Sequence, residues 1–441
     1  VVSSEVLVPE RSTRVAALLG VALLVPATVA AQSPTPGSEG YLVIADTTAA
    51  TLHVASLPDG AIVASIPDIT MSDHAGFLPL PDGRVLFTTS GETSELVALD
   101  LADGSPEVSG RVTLPGGSIH LSVNPSVTHA AVSSGTWNEE QGKLLDPAIT
   151  LVDLATWEAV NQPIETGEPG VILTDELVLH RNDDPAQLEA WPIADVLAGA
   201  GAMSGSVPIG AFGHGEAYEA SLGQAFVATE DGIDVVDVTG PQPAFVKTFP
   251  WDTADRTGGR AFYLRIATTG DSLISYVTNR DAEAWGDWTT DAYIADLTSD
   301  EVIRVPLGDG LVYRAGIGED RALFFNQVPK EDPTGDQAYL LDLDTESATY
   351  GEIISTIPLT PLSGQGTADV SIWEAGEGRI AAMTPDGDWG FVTNGGDGTV
   401  SVIDAEAGAI VGSIEVPTPL SGGGYLVAVQ PDMPLIDNIG K

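Results

Sequence analysis

The sequence predicts an all-β chain closed into a single β-propeller of eight blades. Three observations predict it. Short Val- and Ile-rich runs alternate apolar with polar residues and are separated by Gly, Pro and Asp turns. Groups of four such runs recur every ~35–50 residues, the period of propeller blades. After Pro26 no segment carries a sustained apolar stripe of helical period.

The first 31 residues read as an export signal. Arg11 and Arg14 precede an apolar run from Val15 to Val25, broken by Pro26, and small residues around Val29 to Gln32 place a cleavage site after Ala31. The run is too short for a membrane span, and a retained N-terminal anchor is the alternative. Residues 32–40 (QSPTPGSEG) read as a flexible leader, which leaves residues 41–441 for the propeller.

The first unit, "YLVIAD…TLHVASLPDGAIVASI" from Tyr41, has only three strands. The second, from His74, is "HAGFLPLPDGRVLFTTSGETSELVALDLADGS". The third starts "SIHLSVNPSVTHAAVSSG" at Ser118 and resumes at "AITLVDLATWEAV". The fourth, "GVILTDELVLHRN…QLEAWPI…SVPIG" from Gly170, is the weakest; if it is an insertion, the ring has seven blades. The fifth starts at Gly213, the sixth at Ala261 and the seventh at Val312. The eighth is the clearest, with runs Ile380–Thr384, Gly390–Asn394, Val400–Asp404 and Ile410–Val416 joined by P-D-G-D, G-G-D-G and E-A-G-A turns. A last apolar run, Tyr425 to Val429, supplies the strand missing from the first unit and closes the ring.

Composition bounds the function. At 43% hydrophobic and 18% charged, the 441-residue chain buries a substantial core, which excludes general disorder. With no Cys it has no disulfide scaffold, thiolate metal site, Cys nucleophile or lipidated N-terminal Cys. A balance of 63 acids to 17 bases, net −46, argues against nucleic acid and anionic membrane surfaces. It also attracts cations diffusely and favours solubility in extracellular fluid.

Two resemblances narrow the reading. "FVTN…GTVSVID" (Phe391 to Asp404) and "SYVTNRD" (Ser275 to Asp281) resemble the YVTN repeat of extracellular and surface-layer propellers, which implies fold alone. "GHGEAYEASLGQAFVATEDGIDVVD", "DHAGFLPLPDGRVLFTTS" and "SIHLSV…HAAVSSG" are similar to segments of AztD-type periplasmic zinc metallochaperones and together cover about 60 residues. That resemblance implies a propeller that hands zinc to the solute-binding protein of a metal ABC importer. The chain departs from the family in two ways. It has no His-rich N-terminal tract, and the two Cys expected around the HGEA segment are absent, with Phe212 and Ala228 nearby. Both departures bear on metal transfer more than on metal binding.

Six histidines are few, so their placement carries information. The first strand of each blade lines the central channel. His74 begins that strand in the second unit, His120 lies in it in the third, and His214 begins it in the fifth. These equivalent places around one axis can bring three imidazoles to within ~2 Å of one ion. Glu216, two residues after His214, is expected on the same side of its strand. Asp73 adjoins His74. Either carboxylate is a candidate fourth ligand or an orienting partner for a His ring. Two other readings stay open for the trio: polar channel lining solvated by water, or a His acting as acid or base on an organic substrate. His53 is expected on a solvated face or between blades, His129 one layer out from the channel, and His180 as a hydrogen-bonded core residue.

Other chemistry is thinner. The acidic loops "DWTTD" and "TWNEEQGKLLD" match no EF-hand or Gly-Asp nonapeptide. Asp369, Asn279 and Asn394 have the residue types of a propeller-lactonase metal site without a supporting spacing. No nucleophile elbow, P-loop or dinucleotide fingerprint occurs. Eight Trp residues are scattered rather than placed once per blade, unlike the quinone-dependent dehydrogenase propellers. The sequence therefore predicts a secreted or periplasmic propeller that binds zinc through His74, His120 and His214, with Glu216 or Asp73 in support. Its partners would be the metal ion and the solute-binding protein of an importer. Neither nucleic acid nor, once the signal is removed, a membrane span enters this reading. The alternatives are a YVTN-type interaction protein without metal and a lactonase-like hydrolase.

Overall fold

The computed structural model describes residues 40–441 apart from 73, 92, 139–142, 166–169, 370–376, 431, 432, 436 and 441. The export signal, the leader up to residue 39 and Asp73 lie outside the described residues. The expected leader ends one residue early, because Gly40 already pairs with Leu57 in the first strand.

Eight four-stranded antiparallel sheets follow one another along the chain. Blade 4 is a full blade, so the seven-blade alternative falls. Seven blades run from inner to outer strand in chain order. Blade 1 differs: its innermost strand is Tyr425–Val429, paired with Gly40–Asp46 in a register that sets Tyr41 against Val429 and Ala45 against Tyr425. The first and last of the described strands thus share one sheet, and the ring has no open edge at its seam.

Strand chemistry follows distance from the axis. Inner strands such as Gly170–Leu173 are buried throughout, with Val, Ile and Leu following the glycine. Outer strands such as Ile62–Pro67 and Glu107–Thr113 alternate half-buried with exposed positions, as one-sided strands must. In six blades the pairing of the third with the fourth strand slips by one residue. Such bulges increase local twist and blunt the outer edge against pairing with other chains. Between blades the sheets meet through apolar faces. Phe77 and Phe87 of blade 2 pack edge-to-face at 5.8 Å against Leu42, Ile44 and Leu426 of blade 1.

Two features lie outside the repeat pattern. A five-residue helix, Ile193–Leu197, joins the third and fourth strands of blade 4 and buries Ile193 and Val196. Beyond the closing strand, residues 437–440 run across the inner strands. Asn438 donates to the carbonyls of Val123 (3.1 Å) and Leu173 (2.8 Å), Gly440 N–H donates to Leu121 O (2.8 Å), and Asp437 pairs with Arg265 (2.9 Å). This segment ties blades 3, 4 and 6 together at the axis. Gly440 is needed there, because a Cβ would sit 2.3 Å from Ala75 O.

Candidate metal centre

Three of the inner elements converge on one end of the channel. His120 lies within the inner strand of blade 3, Gly117–Val123. The pairing of that strand skips Ile119, between Ser118 and His120, and the bulge turns the imidazole toward the axis. His74 sits in the exposed turn before strand Phe77–Pro79 of blade 2. His214 precedes strand Glu216–Glu219 of blade 5, with its N–H donating to Ala228 O at 3.0 Å. The ring centroids are 5.5, 5.7 and 5.8 Å apart, and one ligand atom from each ring lies within 4.8 Å of the others. A tetrahedral ion held at ~2.0–2.1 Å needs nitrogens roughly 3.4 Å apart. Holding such an ion would draw the ligand atoms, now within 4.8 Å of one another, together by at most about 1.4 Å, and the exposed His74 turn is the part best placed to move.

Glu216 stands beside the trio rather than in it. Its side chain is fully buried, 3.1 Å from His120 Nδ1 on one side and accepting from Arg181 Nε at 2.7 Å on the other. Arg181, itself buried, also pairs with Asp183. A hydrogen on His120 Nδ1, directed at Glu216, leaves the lone pair on Nε2, which is buried without a hydrogen-bond partner among the described residues. This carboxylate–imidazole arrangement fixes the tautomer that can ligate a metal. Burial pushes the His120 pKa below that of a free imidazole; the Glu216 carboxylate pulls the other way, and His74 adds to the lowering. His120 is thus neutral near pH 7, as a ligand must be.

Of the two roles expected for Glu216, fourth ligand or orienting partner of a His ring, its contact with His120 fits the second. Gly215 takes φ +107° between His214 and Glu216, and a Cβ there would meet Tyr263 N at 3.0 Å. Arg181 was not legible as part of the site, because blade 4 brings no histidine to it. Gly170 makes the room: it lies opposite Arg181, and a Cβ would come 2.0 Å from Glu216 Oε1.

The other candidates lie apart. His53 is buried between blades, its ring nitrogens 2.8 Å from Ser65 Oγ and 3.0 Å from Thr418 Oγ1. His129 contacts Thr128 Oγ1 at 2.9 Å, and His180 is buried against Glu189 at 3.0 Å. Asn394 bonds Arg379, Thr399 and Ser401, while Asn279 accepts from the Asp281 N–H. Both serve local structure. Among the described residues, the histidine trio is the group of three or more metal-ligating side chains that comes together.

The trio opens into a cavity of about 270 Å³ whose other walls carry Phe262, Tyr263, Tyr276, Tyr313, Arg280 and Arg314. With three imidazoles on one wall, an ion held by them would keep a coordination position open toward the cavity.

No family model and no curated protein matches the chain. Solved structures do. Apo AztD from Citrobacter koseri is 14% identical, with a TM-score of 0.62 over 89% of this chain and 98% of that one. The dihydro-heme d1 dehydrogenase NirN, in complex with DHE, is 16% identical, with a TM-score of 0.59 over 88% and 75%. A functionally unknown protein from Desulfotomaculum acetoxidans is 11% identical, with a TM-score of 0.53 over 89% and 99%. At these identities the likeness is one of fold. The chain is an eight-bladed propeller with a candidate three-histidine site in its channel.

Proposed function

We propose that this chain is an extracytoplasmic zinc-binding propeller that stores the ion or delivers it to a partner protein. The observation that carries the reading is the convergence of His74, His120 and His214 from three blades, with His120 held by a buried carboxylate. Nitrogen ligands of borderline softness suit zinc over calcium or magnesium. The fold likeness to AztD and the short segments similar to zinc metallochaperones support the same reading. They make the solute-binding protein of a metal importer the partner to test first. The role is binding and hand-over, not catalysis.

The competing source of zinc uptake is the diffuse charge of −46. Salt screens it, and it does not separate zinc from calcium. Zinc affinity is therefore measured in high salt with excess calcium, for native protein, His214→Ala and His129→Ala. His129, outside the trio and held by Thr128, is the control. Native protein and the control should bind about one ion alike. His214→Ala should lose more than the ~10–100-fold expected of a supporting residue. Equal binding by all three would favour a plain interaction propeller.

A further inference from the structure

Resting on that reading, we propose that the cavity takes the metal together with a small organic carboxylate, which ligates the ion on one side and faces Arg280 and Arg314 on the other. The argument is one of charge. A divalent ion on three neutral imidazoles brings two positive charges into a cavity that already carries Arg280 at its rim and Arg314 in its wall. Arg260 stands one ring further out: it and Arg280 both lie 4.8 Å from the centre of Phe262, whose ring is 5.6 Å from that of His214. A chain with 63 acids and 17 bases has thus gathered three of its arginines around a cation site.

Among the described residues, two carboxylates near the cavity already have partners. Glu216 is committed to Arg181 and His120, and Asp437 to Arg265. Among the described residues neither Arg260 nor Arg280 has a carboxylate within 4 Å; Arg280 instead stacks on Phe262 and Trp288. Tyr276 does not supply an anion, since burial raises its pKa further above the ordinary tyrosine value. The open coordination position and the guanidiniums face one space, so an anion placed there meets both. A carboxylate matches the fork of a guanidinium and is an oxygen ligand for zinc. The aromatic walls favour an anion with carbon to bury over an inorganic one.

The test uses cobalt(II) in place of zinc, because its visible bands respond to a change of the fourth ligand. The full chain, loaded with cobalt, is titrated with succinate against sodium chloride of equal ionic strength and against inorganic phosphate. Succinate should shift the spectrum saturably and chloride should not. Arg280→Gln should weaken the succinate response by about tenfold or more while binding cobalt alone at least as tightly as native protein. Arg280→Lys, which keeps the charge and loses the fork, should fall between them. No response to succinate in cobalt-loaded protein, or an unchanged response in Arg280→Gln, overturns the co-ligand and leaves the metal site standing. Phosphate acting as strongly as succinate overturns the organic assignment. A protein that takes up neither cobalt nor zinc overturns both proposals.

Discussion

Replacing Glu216 separates its two duties, one to the fold and one to the metal. Its oxygens lie 2.7 Å from Arg181 Nε and 3.1 Å from His120 Nδ1, with no solvent access. Glu216→Ala removes one acid from the buried Arg181, which also pairs with Asp183, and breaking a buried pair in this way costs about 3–5 kcal/mol. Glu216→Gln keeps the shape. Its amide oxygen goes to the guanidinium, the stronger donor, so its NH₂ faces His120. Nδ1 must then accept, the ring hydrogen moves to Nε2, and the lone pair that would hold the metal is lost. The expected penalty is that of a misoriented ligand, ~10–100-fold in zinc affinity, or about 1.4–2.7 kcal/mol. Chelator competition measures the affinity and urea denaturation the stability. Alanine should damage both; glutamine should damage affinity far more than stability. A glutamine variant that binds zinc within twofold of native protein would show that His120 needs no carboxylate behind it.

Two further outcomes follow from the fold. Burial lowers the pKa of His120 and His180 below the 6.5 of a free imidazole, so as pH falls the unfolded chain takes up protons before the folded one. Metal-free protein should hold its full stability above about pH 6.5 and lose up to about 3 kcal/mol per pH unit below it; a urea midpoint unchanged between pH 7.5 and 5.5 would contradict this. Deleting residues 422–441 removes the inner strand of blade 1 and the segment that ties blades 3, 4 and 6, so the melting temperature should fall sharply, and an unchanged value would mean the ring closes elsewhere.

What the sequence disclosed was what repeats. The turn chemistry of the eighth unit puts its strands within a residue of where they lie, at Ala381–Met383, Trp389–Asn394, Thr399–Asp404 and Ala409–Glu415. The same repeat set His74, His120 and His214 at equivalent places, because blades are related by rotation about one axis. What the sequence hid is what departs from the repeat. Arg181 acts from a blade without a histidine in the trio, and Gly170 matters through the side chain it lacks. Residues 437–440 have no strand period, and Asn438 donates to carbonyls 315 and 265 positions away, which no local pattern encodes.

The seam in blade 1 has a consequence for how the molecule comes into being. Strand Gly40–Asp46 is mostly apolar and buried in the finished ring, yet its inner neighbour, Tyr425–Val429, is synthesised only after the other strands of all eight blades. Until that strand emerges, the first blade waits with a sticky, unpaired edge while the other seven can already form. Closing a loop of this length adds little to the entropic cost, which grows only with the logarithm of length, but the pairing joins residues 380 to 388 positions apart, Ala45 with Tyr425 and Tyr41 with Val429. Folding therefore commits late, and the interval before commitment is when a nascent molecule is most exposed to proteases and to its own copies. Once the last strand docks, the same seam becomes a latch, and every blade is held by neighbours on both sides.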